Sequence, residues 1–129
     1  MKIGNLIIRI GIGLLFVWGG LEKFFKGFLD GVGLEAMAAF LKSSGLAFFG
    51  DSGTIVLAAI LASIELIAGI LVLLNKQLFY AFGVLSFIML MALILVYIPS
   101  GGWMNIMIHI ALITTLLGIA IENFKPKPV

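Results

Sequence analysis

At 129 residues the chain has room for one domain, and 63% of it is apolar with a mean hydropathy of +1.29, far above the roughly 45–50% apolar content of soluble domains. Only 11% is charged, against the roughly 25% of ordinary water-facing proteins, so most of the surface must face lipid. The net charge of +2 comes from basic residues scattered at the ends of apolar runs, which argues against nucleic acid as a partner, and the lack of cysteine excludes a disulfide, a thiolate nucleophile, an iron–sulfur cluster or a covalently attached c-type haem.

The first apolar run covers residues 3–25. It is longer than the hydrophobic region of a signal peptide, contains Arg9, and is separated by charged residues from the small-residue triplet Ala36-Met37-Ala38, so it reads as a retained helix. At ~100° per residue, Arg9 shares a face with Gly13, Phe16, Gly20 and Lys23. That face is a glycine seam with a cation in it.

The connection 26–53 follows and is the most polar part of the chain. Within it Leu34, Met37, Ala38 and Leu41 recur at helical spacing opposite Glu35 and Lys42. This predicts a short amphipathic helix that either lies in the membrane interface or folds back as a lid, unless the segment is an ordinary surface loop.

The second run, 54–74, places Glu65 about halfway along, beside Ala58, Ala62, Ala68 and Gly69. An ionised acid at that depth costs about 3 kcal/mol, less than the many aliphatic residues of the same helix return at ~0.3–0.6 kcal/mol each. The helix inserts, but its acid must face protein or a wet cavity. The small neighbours suit close approach by another helix.

Asn75-Lys76-Gln77 permits only a tight hairpin into the third run, 78–98, and Pro99-Ser100-Gly101-Gly102 is turn chemistry leading to the fourth, 105–121. Each run approaches the ~20 residues needed to cross ~30 Å of hydrocarbon. The fourth carries the single histidine, His109, on a face with Asn105, Leu112 and Leu116. The predicted fold is an all-α, integral membrane four-helix bundle in one domain, with a long first extracytoplasmic loop. Lys2, Lys76, Lys125 and Lys127 fall on one side, and Lys23, Lys26 and Lys42, diluted by acids, on the other. Both termini are therefore expected to be cytoplasmic, with Tyr97 and Trp103 at the outer interface and Lys125-Pro126-Lys127-Pro128 as a solvated tail.

Three ionisable residues sit at bilayer depth: Arg9, Glu65 and His109. With the first helix crossing one way and the second the other, Arg9 and Glu65 are expected to differ in depth by roughly 7–8 Å at ~1.5 Å per residue. Two long side chains can bridge that gap, which predicts a buried Arg9–Glu65 ion pair. The pair either serves a function or only locks the bundle; Arg9 could instead extend to the interface. His109 is read as a packing residue, as a proton relay or as a donor to a quinone carbonyl, and Lys23, Glu65 and His109 are expected to line a cavity open to the outer leaflet. A lone histidine cannot form a two-histidine haem or metal site, so no metal is expected. Gly13, Gly20, Ala62 and Gly69 are the expected helix-packing positions.

Leu6-Ile7-Ile8-Arg9-Ile10-Gly11-Ile12-Gly13-Leu14-Leu15-Phe16, running into Gly20-Leu21-Glu22-Lys23-Phe24, resembles the opening of the DoxX/DoxD-like family of small four-helix membrane proteins. Ala62-Ser63-Ile64-Glu65-Leu66-Ile67-Ala68-Gly69-Ile70 resembles that family's second helix, with its acid followed by a glycine. The family often has histidine before the glycine at the end of helix one, where this chain has Gly19. It also often closes with serine, leucine and aspartate, where this chain has Ile121-Glu122-Asn123-Phe124-Lys125.

The resemblance implies an accessory or anchoring subunit of a membrane oxidoreductase complex, associated with quinone but with no intrinsic cofactor. It also leaves open an assembly, chaperone or cargo-type protein, and transport of a small solute or proton through the polar seam is a third reading. Lipid and either a partner subunit or a second copy of the chain are the implied contacts. An enzyme acting alone is not expected, because no nucleophile–base motif, nucleotide-binding glycine pattern or metal-ligand cluster is present.

Overall fold

The computed structural model describes residues 2–124; the basic tail counted above for orientation, Lys125 and Lys127 included, lies outside the described residues. Among the described residues there is no strand, and four helices are long and apolar enough to cross a membrane. The protein is thus an all-α integral membrane protein. Its chain forms two compact units, the first closing at Leu74 and the second opening at Asn75.

The first unit is built on α1 (Lys2–Phe24), α2 (Gly33–Leu41) and α3 (Gly50–Leu73). α1 and α3 run antiparallel, with the glycines of each meeting the backbone of the other. A Cβ at Gly20 would lie 2.7 Å from Leu66 Cβ and 2.9 Å from the Ala62 carbonyl oxygen, and one at Gly69 would lie 2.8 Å from the Val17 nitrogen. Only hydrogen fits there, and the backbones close on one another through dispersion contacts that lipid cannot replace. Ala58, Ala62 and Val72 of α3 are fully buried.

α3 starts at Gly50, four residues ahead of the apolar run, because Gly50-Asp51-Ser52-Gly53 continues as its first turn. α2 packs against α3 and buries Ala38 and Leu41, leaving Glu35 outward. Between α1 and α2, the Trp18 indole donates to the Leu29 carbonyl at 2.9 Å and ties the connection to the end of α1. Between α2 and α3 come a π-helical turn, Lys42–Leu46, and a 3₁₀ turn, Ala47–Phe49.

The second unit pairs α4 (Leu78–Ala92) with α6 (Trp103–Glu122), joined through a π-helical turn, Leu93–Tyr97, and a short α5 (Ile98–Ser100) that ends at Gly101 in left-handed backbone. These two helices are antiparallel. Phe82, Leu85 and Leu116 are fully buried, the Ser86 hydroxyl donates to the Ile113 carbonyl at 3.4 Å, and Phe79 packs on Phe124 with ring centroids 5.0 Å apart.

Candidate functional site

The first unit brings charged side chains together where α1 ends. Lys23 occupies the last turn of α1, the end at which the helix dipole favours a cation. Glu65 lies in the interior of α3, about 12 Å before its C-terminal end at ~1.5 Å per residue. The antiparallel register carries Lys23 to it. The Lys23 ammonium donates to Glu65 Oε1 at 3.2 Å and Oε2 at 3.3 Å, and to the Gly19 carbonyl at 2.9 Å. Glu22 Oε1 stands 3.5 Å from the same nitrogen. Glu65 is only 5% exposed, so its carboxylate depends on this ammonium for compensation.

Gly19 makes the arrangement sterically possible. A Cβ at that position would run into Glu65 Oε2, so the absence of a side chain one turn before Lys23 is what lets the acid reach the α1 surface. With two carboxylates and the Gly19 carbonyl around one ammonium, the cluster has more acceptor oxygens than its cation has donors. It can accept a proton or a hydrogen bond from a hydroxyl group, and Glu22, the most distant of the contacts, is the one most readily exchanged.

The expected Arg9–Glu65 pair is corrected by this geometry. Gly20 faces Ala62 and Leu66, and Gly69 faces Phe16 and Val17, which sets Arg9 level with the end of α3 and about 16 Å along the axis from Glu65 at ~1.5 Å per residue. The depth expected from the ends of the apolar runs was misjudged because α1 begins well beyond the point where α3 stops. Arg9 Nη1 instead donates to the Val72 carbonyl at 3.4 Å, in the last turn of α3, while Arg9 Nε is buried with no partner among the described residues.

Of the three residues expected to share a cavity, Lys23 and Glu65 are joined directly. His109 belongs to the second unit. There its Nδ1 lies 2.8 Å from the Asn105 carbonyl and its ring stacks on Tyr97, with centroids 4.1 Å apart and planes at 32°. At the opposite end of the same helix pair a cleft of about 440 Å³ is lined by Asn75, Gln77, Leu78, Phe79, Tyr80, Asn123 and Phe124. The helix-packing positions Gly13, Gly20, Ala62 and Gly69 all lie buried in the α1–α3 seam. Sequence reasoning missed the direct role of Gly19 and of the Trp18–Leu29 tie. The i, i+4 spacing of Gly19 and Lys23 was the available signal for the first; nothing in the sequence pointed to the second.

Comparison with curated proteins and with solved structures gave no match. The model of the DoxX family matches residues 4–98, a span that holds both helices of the charged seam and the whole of α4, and stops before His109. Nearly three quarters of the chain is covered, and the matched part contains Arg9, Gly19, Lys23, Glu65 and Gly69 in the seam just described. The chain belongs to the DoxX family of membrane proteins.

Proposed function

We propose that this protein is an accessory or anchoring subunit of a membrane oxidoreductase complex, and that the Glu22–Lys23–Glu65 cluster is where it meets a partner or a quinone head group. The observation that carries the reading is the Lys23–Glu65 pair itself, a charged group kept at membrane depth on a glycine-lined seam. Ionisable groups are costly there and are a functional-site hypothesis by default. The cluster's surplus of acceptor oxygens suits a hydroxyl on the incoming group. With no cysteine and one histidine, the chain has no obvious ligand set for an electron-carrying cofactor, which a partner must then supply. Lysine distribution supports both termini on the cytoplasmic side, with the cluster nearer the other leaflet.

Purification of the tagged protein from its native membranes in mild detergent tests this reading. Co-purification of a cofactor-bearing polypeptide or of quinone, weakened by Glu65→Gln, is the expected result. A chain that emerges with neither contradicts it.

A second reading, an assembly or chaperone protein, is favoured by Gly4 and Gly11 of α1 and Gly118 of α6, whose missing side chains leave open space. Such positions let a foreign helix approach closely. On deletion of the protein, a client that falls in abundance while what remains keeps its specific activity would favour this reading over the first.

A further inference from the structure

The connection between α2 and α3 ends in an apolar tip that the packing of the first unit leaves uncovered. Gly45, at φ 96°, and Gly50, at φ 76°, adopt left-handed backbone on either side of Leu46-Ala47-Phe48-Phe49. Side chains other than glycine rarely tolerate that conformation, so the chain turns sharply at both points and presents the segment between them. Phe48 is 77% exposed and Phe49 47% exposed, and their rings pack on each other with centroids 4.4 Å apart. The base of the tip is closed by an ion pair between Lys42 and Asp51.

We propose that this Phe48–Phe49 tip is a membrane-interface wedge, seated in the lipid at the N-terminal end of α3. Three features commit the tip to lipid. α3 crosses the membrane and begins at Gly50, the residue after Phe49, so the rings stand at the mouth of a membrane-spanning helix. α2 turns Ala38 and Leu41 onto α3, where they are buried, whereas Phe48 is the most exposed large apolar side chain between α1 and α3 and has Phe49 packed on it. Charge is confined to the base, where Lys42 and Asp51 neutralise each other, while the tip carries none. An uncharged aromatic pair on a glycine-bounded turn next to a transmembrane helix has the composition of an interfacial anchor. The wedge fixes the outer end of α2 against the bilayer and thereby limits how far α2 can lift from α3.

The natural lack of cysteine gives a clean test. Phe48→Cys and, separately, Phe49→Cys are labelled with a nitroxide in the full chain reconstituted into phospholipid vesicles, with Glu35→Cys on the outward face of α2 as reference. The wedge predicts labels at 48 and 49 that collide more with oxygen, which concentrates in lipid, than with a water-soluble nickel chelate, and the reverse at 35. Chelate accessibility at either 48 or 49 equal to that at 35 would overturn the proposal. Dipolar broadening between labels at 48 would also overturn it, since the tip would then be meeting a second copy of the chain. Because either aromatic position alone suffices to read depth, failure of one variant to fold leaves the other decisive.

Discussion

Lys23 holds Glu65 from the last turn of α1, and the energetic weight of the pair lies in what happens when one member is lost. Lys23→Met leaves a carboxylate that is 5% exposed without its cation, which costs about 3–5 kcal/mol for a buried pair broken on one side. A large fall in the thermal midpoint of the detergent-solubilised protein should report it. Arg9→Gln should cost far less, about 1 kcal/mol, since it removes one long hydrogen bond to the Val72 carbonyl. The order of these two losses separates the observed pairing from the one the sequence suggested. Gly19→Ala places a methyl against Glu65 Oε2 and is expected to cost about 1–3 kcal/mol. Gly11→Ala, where nothing lies within 4 Å of the added carbon, is expected to be neutral or to stabilise α1 by up to ~1 kcal/mol. Thermal unfolding of the two variants side by side checks both.

At the scale of elements, the faces of the helices were legible and their register was not. Gly13 and Gly20 share one stripe of α1, and Ala62, Glu65 and Gly69 share one stripe of α3, because helical periodicity alone decides which residues point the same way. How far one helix slides along the other depends on which glycine meets which backbone, and that is not written in the ends of apolar runs. Gly50 to Gly53 extend α3 outward, α1 begins beyond the end of α3, and the acid therefore meets Lys23 instead of Arg9. The amphipathic stripe Leu34, Met37, Ala38, Leu41 was equally legible, but its choice between lipid and protein was not; Ala38 and Leu41 face α3.

The connection that carries α2 offers two further tests. Trp18→Phe keeps the ring and loses the bond to Leu29, so amide exchange in the connection should quicken by up to about tenfold, for roughly 1 kcal/mol, with the α1–α3 seam unchanged. Asp51 lies ahead of the apolar run, and hydrogen bonding and charge attraction from Lys42 hold its carboxyl below the ordinary carboxylate range. Because its folded-state value is the lower one, the tie at the base of the tip is complete above the ordinary carboxylate range and is lost as pH falls through the lowered value. Protection of the amides near Ser43 and Ser44, taken relative to the intrinsic exchange rate at each pH, should therefore fall on acidification in the wild type and not in Asp51→Asn.

Over the whole molecule, four membrane-length helices follow from composition, since nothing but lipid accommodates so little charge. Membership of the DoxX family follows from the order and spacing of the motifs in the first two crossings, which the family model matches through residue 98. His109 lies beyond the matched stretch in a separate unit, where its neighbours are Tyr97 and Asn105. A single histidine gives no spacing from which its neighbours could be read. The proposed site is the seam of the first unit, and its claim to be a built site rests on the coupling of Lys23 to Glu65. A double-mutant cycle on unfolding free energy, with Lys23→Met, Glu65→Gln and the two combined, measures that coupling directly. The account predicts that the double variant is much less destabilised than the sum of the single losses, by more than about 1 kcal/mol; losses that simply add would contradict it.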